Sequence, residues 1–222
     1  GTGRRALTPE ETQRVLETIR THPEGLFLAI LYYLGVRRGE ALGLKWGDFD
    51  FTVDQVHIQR DIDFTGSTAV DGTLKTEAAD RFVPIPADLK VMLLPKRESA
   101  DAYVFHTPSG APLPQASYKR MWSRLMLECG CVEWREVKPG TSRPDDILKQ
   151  VKPTLTPHYF RHNYVTLLYE SGIDPLVTMK IVGHTDYQTT ANIYTHLKED
   201  TLRRASVNME KVFAKRSEQD AQ

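Results

Sequence analysis

The chain is poor in cysteine. It has two in 222 residues, Cys129 and Cys131, one residue apart. Thiols that close make a poor disulfide framework, and two of them supply at most half of a tetrahedral zinc site. They are expected to be reduced, structural thiols of a cytosolic protein. Long apolar runs are missing too. The longest, Leu26 to Leu34, has nine residues, well short of the roughly 20 that span a bilayer. No charged-then-apolar leader opens the chain. Neither charge is in excess, with 29 Lys plus Arg against 29 Asp plus Glu. A binder that works by bulk charge alone is therefore excluded. No Gly-Lys dipeptide occurs, so there is no GxxxxGK(S/T) phosphate loop. Internal repeats and low-complexity tracts are also lacking.

What is present reads as one folded domain. Apolar residues make up 40% and charged residues 26%, enough for a buried core and a soluble surface. The charge is unevenly spread. Residues 1–110 carry 13 basic and 16 acidic groups, whereas residues 117–161 carry 9 and 5. The middle of the chain is the expected place for an anionic partner. Thr8-Pro9-Glu10-Glu11 is a capping box with proline at the first helical position. An apolar helix is expected from about Glu24 to Leu34, stopped by Gly35. A short helix follows over Arg37 to Leu44. From Val56 to Phe64 the side chains alternate as in one strand, and Arg81-Phe82-Val83-Pro84-Ile85 reads as an edge strand. Residues 50–86 thus form a small antiparallel sheet in an otherwise helical chain. Tyr118, Met121, Trp122, Leu125 and Met126 mark an amphipathic helix. Residues 130–153 read as a mobile connector. Thr156 caps a helix to about Ser171, with Phe160, Tyr164, Leu167 and Leu168 on its core face. Asp174-Pro175 opens another helix that stops by Gly183. A short helix carries Tyr194, and the tail from Leu197 is partly helical.

Four places hold residues with chemical potential. In Thr156-Pro157-His158-Tyr159-Phe160-Arg161-His162, His158 and Arg161 share a helix face near free backbone N–H groups. A phosphate-holding surface and a merely solvated helix start fit this segment equally well. His158 and His162 also have the spacing of a two-His zinc pair, but Tyr159 stands where the base of an HExxH site would be and no third ligand is evident. In Gly35-Val36-Arg37-Arg38-Gly39-Glu40, Arg37 either projects into a pocket or pairs with Glu40 at the surface. Val182-Gly183-His184 precedes Tyr194-Thr195-His196. Lys75-Thr76 lies in the sheet region before Arg81. The Asp48/Asp50 and Asp61/Asp63 pairs are expected to make local hydrogen bonds in turns, not to bind metal.

Taken in order, these segments resemble the tyrosine recombinase, or phage-integrase-like, catalytic domain, over roughly residues 8 to 197. The likeness leans toward integrases of conjugative transposons and temperate phages. It implies an α+β, mainly helical catalytic domain over residues 1–196 and a tail over 197–222. That tail would dock on its own domain or be exchanged with a neighbouring protomer. It implies six site residues: Arg37, Lys75, His158, Arg161, His184 and Tyr194. Tyr194 would attack a DNA phosphodiester to give a 3′-phosphotyrosyl link, without metal, ATP or other cofactor. Arg37 and Arg161 would meet around the phosphorus, with the phenol oxygen in line behind it. His184 would bond the same oxygens, His158 would position the phosphate and assist proton movement, and Lys75 would protonate the leaving 5′-oxygen. Lys119, Arg120 and Arg124 are candidate DNA-backbone contacts. The implied partners are double-stranded DNA, further copies of the protein on DNA as dimer to tetramer, and accessory directionality proteins, with no membrane. The implied location is the bacterial cytoplasm, at the nucleoid. The family's separate N-terminal DNA-binding domain is not in this sequence, and Gly1-Thr2-Gly3 is read as a cut. A type IB topoisomerase and a non-catalytic DNA-binding module are the rival readings.

Overall fold

The computed structural model describes residues 5–66, 68–72, 79–135, 144–184 and 187–219. Helix α1 (Pro9–Thr21) starts where the sequence places it. The Thr8 hydroxyl accepts from the Glu11 N–H, and the Glu11 carboxylate accepts from the Thr8 N–H. Helix α2 (Gly25–Leu34) is the apolar run, and almost all of it is buried. Such a helix is apolar all round because neighbours cover every face. Here α1, α3 (Arg38–Leu42), α4 (Ala87–Leu93) and α7 (Pro157–Glu170) pack around it. Helix α5 (Gln115–Glu128) buries the expected stripe of Tyr118, Met121, Trp122, Leu125 and Met126. The Trp122 indole N–H donates to the Leu155 carbonyl, tying α5 to the start of α7.

The sheet region departs from the single long strand expected over 56–64. Strands β1 (Phe49–Asp50), β2 (Gln55–Ile58) and β5 (Arg81–Pro84) form an antiparallel sheet in the order β1-β2-β5, so the Pro84 strand is at an edge. Strands β3 (Asp61–Thr65) and β4 (Thr68–Gly72) form a separate hairpin. The break falls at Gln59 and Arg60 because both side chains turn onto Asp48. Gln59 Nε2 donates to Asp48 Oδ1 at 2.6 Å and Arg60 Nη1 to Asp48 Oδ2 at 2.6 Å. Asp48 also accepts from the Lys45 N–H at 2.8 Å, a local turn bond of the kind expected of it.

Within the connector expected over 130–153, described residues form regular elements that its composition does not suggest. Strand β6 (Val132–Trp134) pairs with β7 (Val151–Pro153), and α6 (Pro144–Gln150) leads into β7. Thr156 holds the N-cap position of α7, but its side chain accepts no cap hydrogen bond. On α7, Leu167 is exposed, and Val165 takes the core position instead. Asp174 caps α8 (Pro175–Val182) through the Leu176 N–H. The short helix expected around Tyr194 is the start of α9 (Tyr187–Gln219), a 33-residue helix that continues through the expected tail. No Gly or Pro interrupts that segment, so nothing in it breaks the helix. Its outer part leaves Leu202, Val207, Met209, Val212 and Phe213 exposed. Among the described residues, no helix is long and apolar enough to cross a membrane.

Two glycines set how the site is built. Gly35 ends α2 at φ 62°, and a Cβ there would lie 2.2 Å from the Tyr164 ring. At Gly39 a Cβ would lie 1.8 Å from Asp61 Oδ1 and 2.5 Å from the Ile62 carbonyl, so only glycine lets α3 lie on β3. Gly66 has a similar φ of 66° but nothing within 4 Å of the added carbon. Gly35→Ala is therefore expected to destabilise by about 2–5 kcal/mol, combining left-handed backbone and overpacking costs. Gly66→Ala should cost only about 1–2 kcal/mol. Urea unfolding of both variants checks the difference.

Candidate active site

The site begins at the end of α2. Gly35 turns the chain, and Arg37 follows in extended backbone as the residue before α3. The Glu40 carboxylate lies one turn on and accepts from the Arg37 N–H at 2.8 Å and from Arg37 Nη1 at 3.1 Å. Both readings of Arg37 hold, since it pairs with Glu40 and also faces a cavity. Glu40 itself is buried. Arg81 on β5, equally buried, grips it in bidentate fashion through Nη1 and Nη2, both at 2.9 Å. Burial alone would raise the Glu40 pKa. The Arg81 hydrogen bonds and the charges of Arg81 and Arg161 outweigh it and hold the group near 2. Glu40 is thus a fixed negative charge among three guanidinium groups.

Arg161 is 3% exposed. Its Nη1 donates to the Gly35 carbonyl at 3.0 Å, and its Nη2 donates to the Val182 carbonyl. These carbonyls close α2 and α8, and each is followed or carried by a left-handed glycine, Gly35 at φ 62° and Gly183 at φ 70°. Carbonyl ends of helices attract cations. Burial is the main cause that lowers the Arg161 pKa, to about 9, followed by the nearby Arg37 charge. The group remains a cation at neutral pH.

His158, one turn before Arg161 on α7, lines the same cavity of about 560 Å³ as Arg37 and Arg161. His184 follows Gly183. Its Nδ1 lies 2.8 Å from the buried Thr190 hydroxyl. Burial, then the charges of Arg161, Arg37, Arg81 and His158, depress its pKa to about 4. Four of the expected residues, Arg37, His158, Arg161 and His184, therefore come together electrostatically although the chain separates them widely.

Tyr194 does not join them in this conformation. Its hydroxyl donates to the Ile173 carbonyl at 2.8 Å and lies 2.6 Å from the Thr178 hydroxyl. Its ring meets the Tyr169 edge with centroids 5.1 Å apart. Burial is the main cause that raises its pKa, with Asp174 and Tyr169 adding to it and the Thr178 hydrogen bond opposing it. The in-line phenol expected behind the phosphorus is thus absent from this state, because polar partners on α8 and the α7–α8 turn hold it. Lys75 falls in residues 73–78, outside the described residues. Lys119 and Arg120 are exposed on α5. Arg124, also expected to track DNA, is instead engaged by Glu24, with Nε and Nη2 donating at 2.8 and 2.6 Å. Residue spacing could not show this, because Glu24 lies on a distant segment.

Sequence reasoning missed Glu40 as a hub, Arg81 as its partner, and Thr190 and Thr178 as hydroxyl partners. Burial of charge was the only signal that could have found the first pair, and a linear pattern does not show it. Cys129 and Cys131 are unpaired and buried. Burial raises both thiol pKa values, that of Cys129 to about 11, which fits a structural role. No group of three or more His, Cys, Asp or Glu suited to a metal occurs among the described residues.

This mainly helical fold with small antiparallel sheets is that of an integrase-type catalytic domain. The chain belongs to the phage integrase family, whose profile matches residues 5–201. It is 27% identical to a tyrosine recombinase XerC-like protein of Caldanaerobacter subterraneus subsp. tengcongensis, over 86% of this chain and 50% of that protein. It is 26% identical to the ICEBs1 integrase of Bacillus subtilis, over 77% of this chain and 44% of that one. Among solved structures, the Tn1549 transposon integrase in complex with transposon right end DNA matches with a TM-score of 0.67 at 22% identity. That match covers 95% of this chain and 67% of the other. A XerH recombinase bound to palindromic difH substrate matches with a TM-score of 0.59 at 23% identity, over 93% and 54%. The chain spans about half the length of the curated relatives it matches.

The His184 environment has a measurable consequence. With a folded pKa near 4 against an ordinary value of about 6.5, the unfolded chain takes up the proton first as pH falls. This group's contribution to stability is therefore full above about pH 6.5 and lost progressively toward pH 4. NMR titration of the ring should find it neutral at pH 6. Arg37→Ala, which removes one of the lowering charges, should move its titration upward.

Proposed function

We propose that this chain is the catalytic domain of a site-specific DNA recombinase that integrates or excises a mobile element. The supporting observation is that Arg37, at the N-cap of α3, and His158 and Arg161, on α7, line one cavity. A phosphodiester there receives donors where negative charge grows in the transition state. Arg37 keeps most of its fork free for the phosphate while Glu40 holds one Nη. Arg161, which lines the same cavity, lends a buried positive charge. His184 is neutral at physiological pH. In the tautomer where the Thr190 hydroxyl donates to Nδ1, the ring carries its proton on Nε2 and offers it to a phosphoryl oxygen. His158 positions the phosphate and helps move the phenol proton.

Tyr194 is the nucleophile in this reading. Its oxygen forms a bond to phosphorus as the P–O5′ bond breaks, giving a 3′-phosphotyrosyl link. The phenol loses its proton, and the departing 5′-oxygen gains one, from Lys75 by the family resemblance. The reverse attack by a 5′-hydroxyl reseals a strand, so the energy of the broken bond is retained. The phenol must first leave Ile173 and Thr178. The raised Tyr194 pKa fits a resting state, because a phenol without cations nearby is a weak nucleophile. Lys119 and Arg120 extend the phosphate-binding surface along α5. The place of action is the bacterial nucleoid.

The exposed apolar residues of outer α9, Leu202, Met209, Val212 and Phe213, support docking of the tail on a neighbouring protomer assembled on DNA. Deleting residues 200–222 should leave the domain folded and abolish protein–protein association on DNA. Sedimentation of the DNA complex reads this, and unchanged association refutes it.

The catalytic reading is tested with a nicked suicide duplex that carries the element's own end sequence. The native chain should form a covalent protein–DNA adduct, insensitive to chelators. Tyr194→Phe should form none while binding the same duplex. Adduct formation by Tyr194→Phe at the native rate would overturn the assignment.

A further inference from the structure

Arg38 has no part in the scheme above, yet it lines the same cavity as Arg37, His158 and Arg161. Its surroundings differ from those of the other arginines. Arg161 is held by two carbonyls, Arg81 by a carboxylate, and Arg37 in part by that same carboxylate. Arg38 is held by aromatic faces. Its guanidinium carbon lies 5.0 Å from the Phe64 ring centroid and 5.5 Å from that of Tyr118. No hydrogen bond or ion pair joins it to a described residue, and its Nε is buried without a partner.

Stacking on rings fixes a guanidinium plane while consuming none of its N–H donors. A cation oriented in this way, with its Nη groups not spent on a carboxylate or carbonyl, is suited to a planar or tetrahedral oxyanion. The cavity lining also carries the carboxylates Asp61 and Asp63, and Asp61 lies close beside Gly39 on α3. Arg38 also lies toward Tyr118 on α5, the helix that exposes Lys119 and Arg120. It therefore bridges the Arg37 segment and the buried face of α5.

We propose that Arg38 binds the DNA phosphate next to the one that is cleaved, and so registers the strand in the site. This rests on the reading of the cavity as a phosphodiester site. Arg38 is a binding residue here. It fixes the strand's position and does not act on the reacting atoms.

A cation that neutralises one DNA phosphate steepens the fall of log affinity with log salt by about 0.9. The probe is a labelled duplex of arbitrary sequence, followed by fluorescence anisotropy across about 50–200 mM salt. Arg38→Met keeps an apolar stem between Phe64 and Tyr118 but removes the charge. Its salt slope should be shallower by about 0.9, and Arg38→Lys should restore it. A second measurement alters the DNA instead, on the nicked suicide duplex, and compares both proteins. A neutral methylphosphonate placed one linkage from the nick should weaken binding by the native chain and have no further effect on Arg38→Met. A native salt slope in folded Arg38→Met, or an equal methylphosphonate loss in both proteins, overturns the inference. If the native chain forms the Tyr194 adduct in that case, the functional reading stands and Arg38 alone is excluded. If the native chain neither binds DNA nor forms the adduct, both fall.

Discussion

The site depends on one buried carboxylate. Glu40 is 1% exposed and lies among Arg37, Arg81 and Arg161. Guanidinium groups gathered in a half-buried space repel one another, and the depressed Arg161 pKa records that repulsion along with burial. A carboxylate removed from water is itself costly unless paired and hydrogen-bonded. Each problem offsets the other. The carboxylate is ionised because the arginines surround it, and the arginines stay assembled because it is ionised. Arg81 further ties this centre to α8, since its Nε donates to the Ile181 carbonyl at 2.8 Å. One ion pair thus couples α3, β5 and the helix that leads to His184.

The second constraint is the way helices end. Arg161 takes its two carbonyl partners from Gly35, at the end of α2, and from Val182, at the end of α8. Left-handed glycines let both helices stop there and leave these carbonyls turned toward α7. The buried cation is therefore held by backbone oxygen, whose position follows from the core packing of α2. The Phe27, Trp122 and Phe160 edge contacts that fill this core also fix the angle at which α7 presents His158 and Arg161. Tyr194 belongs to a different, smaller cluster with Tyr164, Val165 and Val182. Ile173 and Thr178 hold the Tyr194 hydroxyl there, while Arg37, His158 and Arg161 line their own cavity.

Much of this could be read from the chain. The helix starting at Pro157 puts His158 and Arg161 on one face by spacing alone. The capping box at Thr8 and the stops at Gly35 and Gly183 follow from local chemistry. The mainly helical class with a small sheet near residues 50–86 follows from periodicity. What could not be read depends on partners from afar. Arg124 looks like a solvent-facing cation until Glu24 is brought beside it. The strand expected over 56–64 is broken by Gln59 and Arg60 reaching for Asp48, a contact no alternation reveals. The β6–β7 pair lies in a polar stretch without strand periodicity, and only tertiary pairing defines it. The length of α9 was legible as the absence of any breaker, but a polar sequence does not by itself announce a continuous helix. The parked position of Tyr194 rests on Ile173 and Thr178, which no motif links to it.

The central claim is that the Glu40 charge holds the arginines in position to grip a phosphate. It is tested most directly by the rate of covalent adduct formation by Glu40→Gln on a nicked duplex, measured where the variant is shown to be folded. The amide keeps the shape and loses the charge, so the arginines should shift and the rate should fall by about 10²-fold or more. A folded Glu40→Gln that forms the adduct at the native rate would contradict the account.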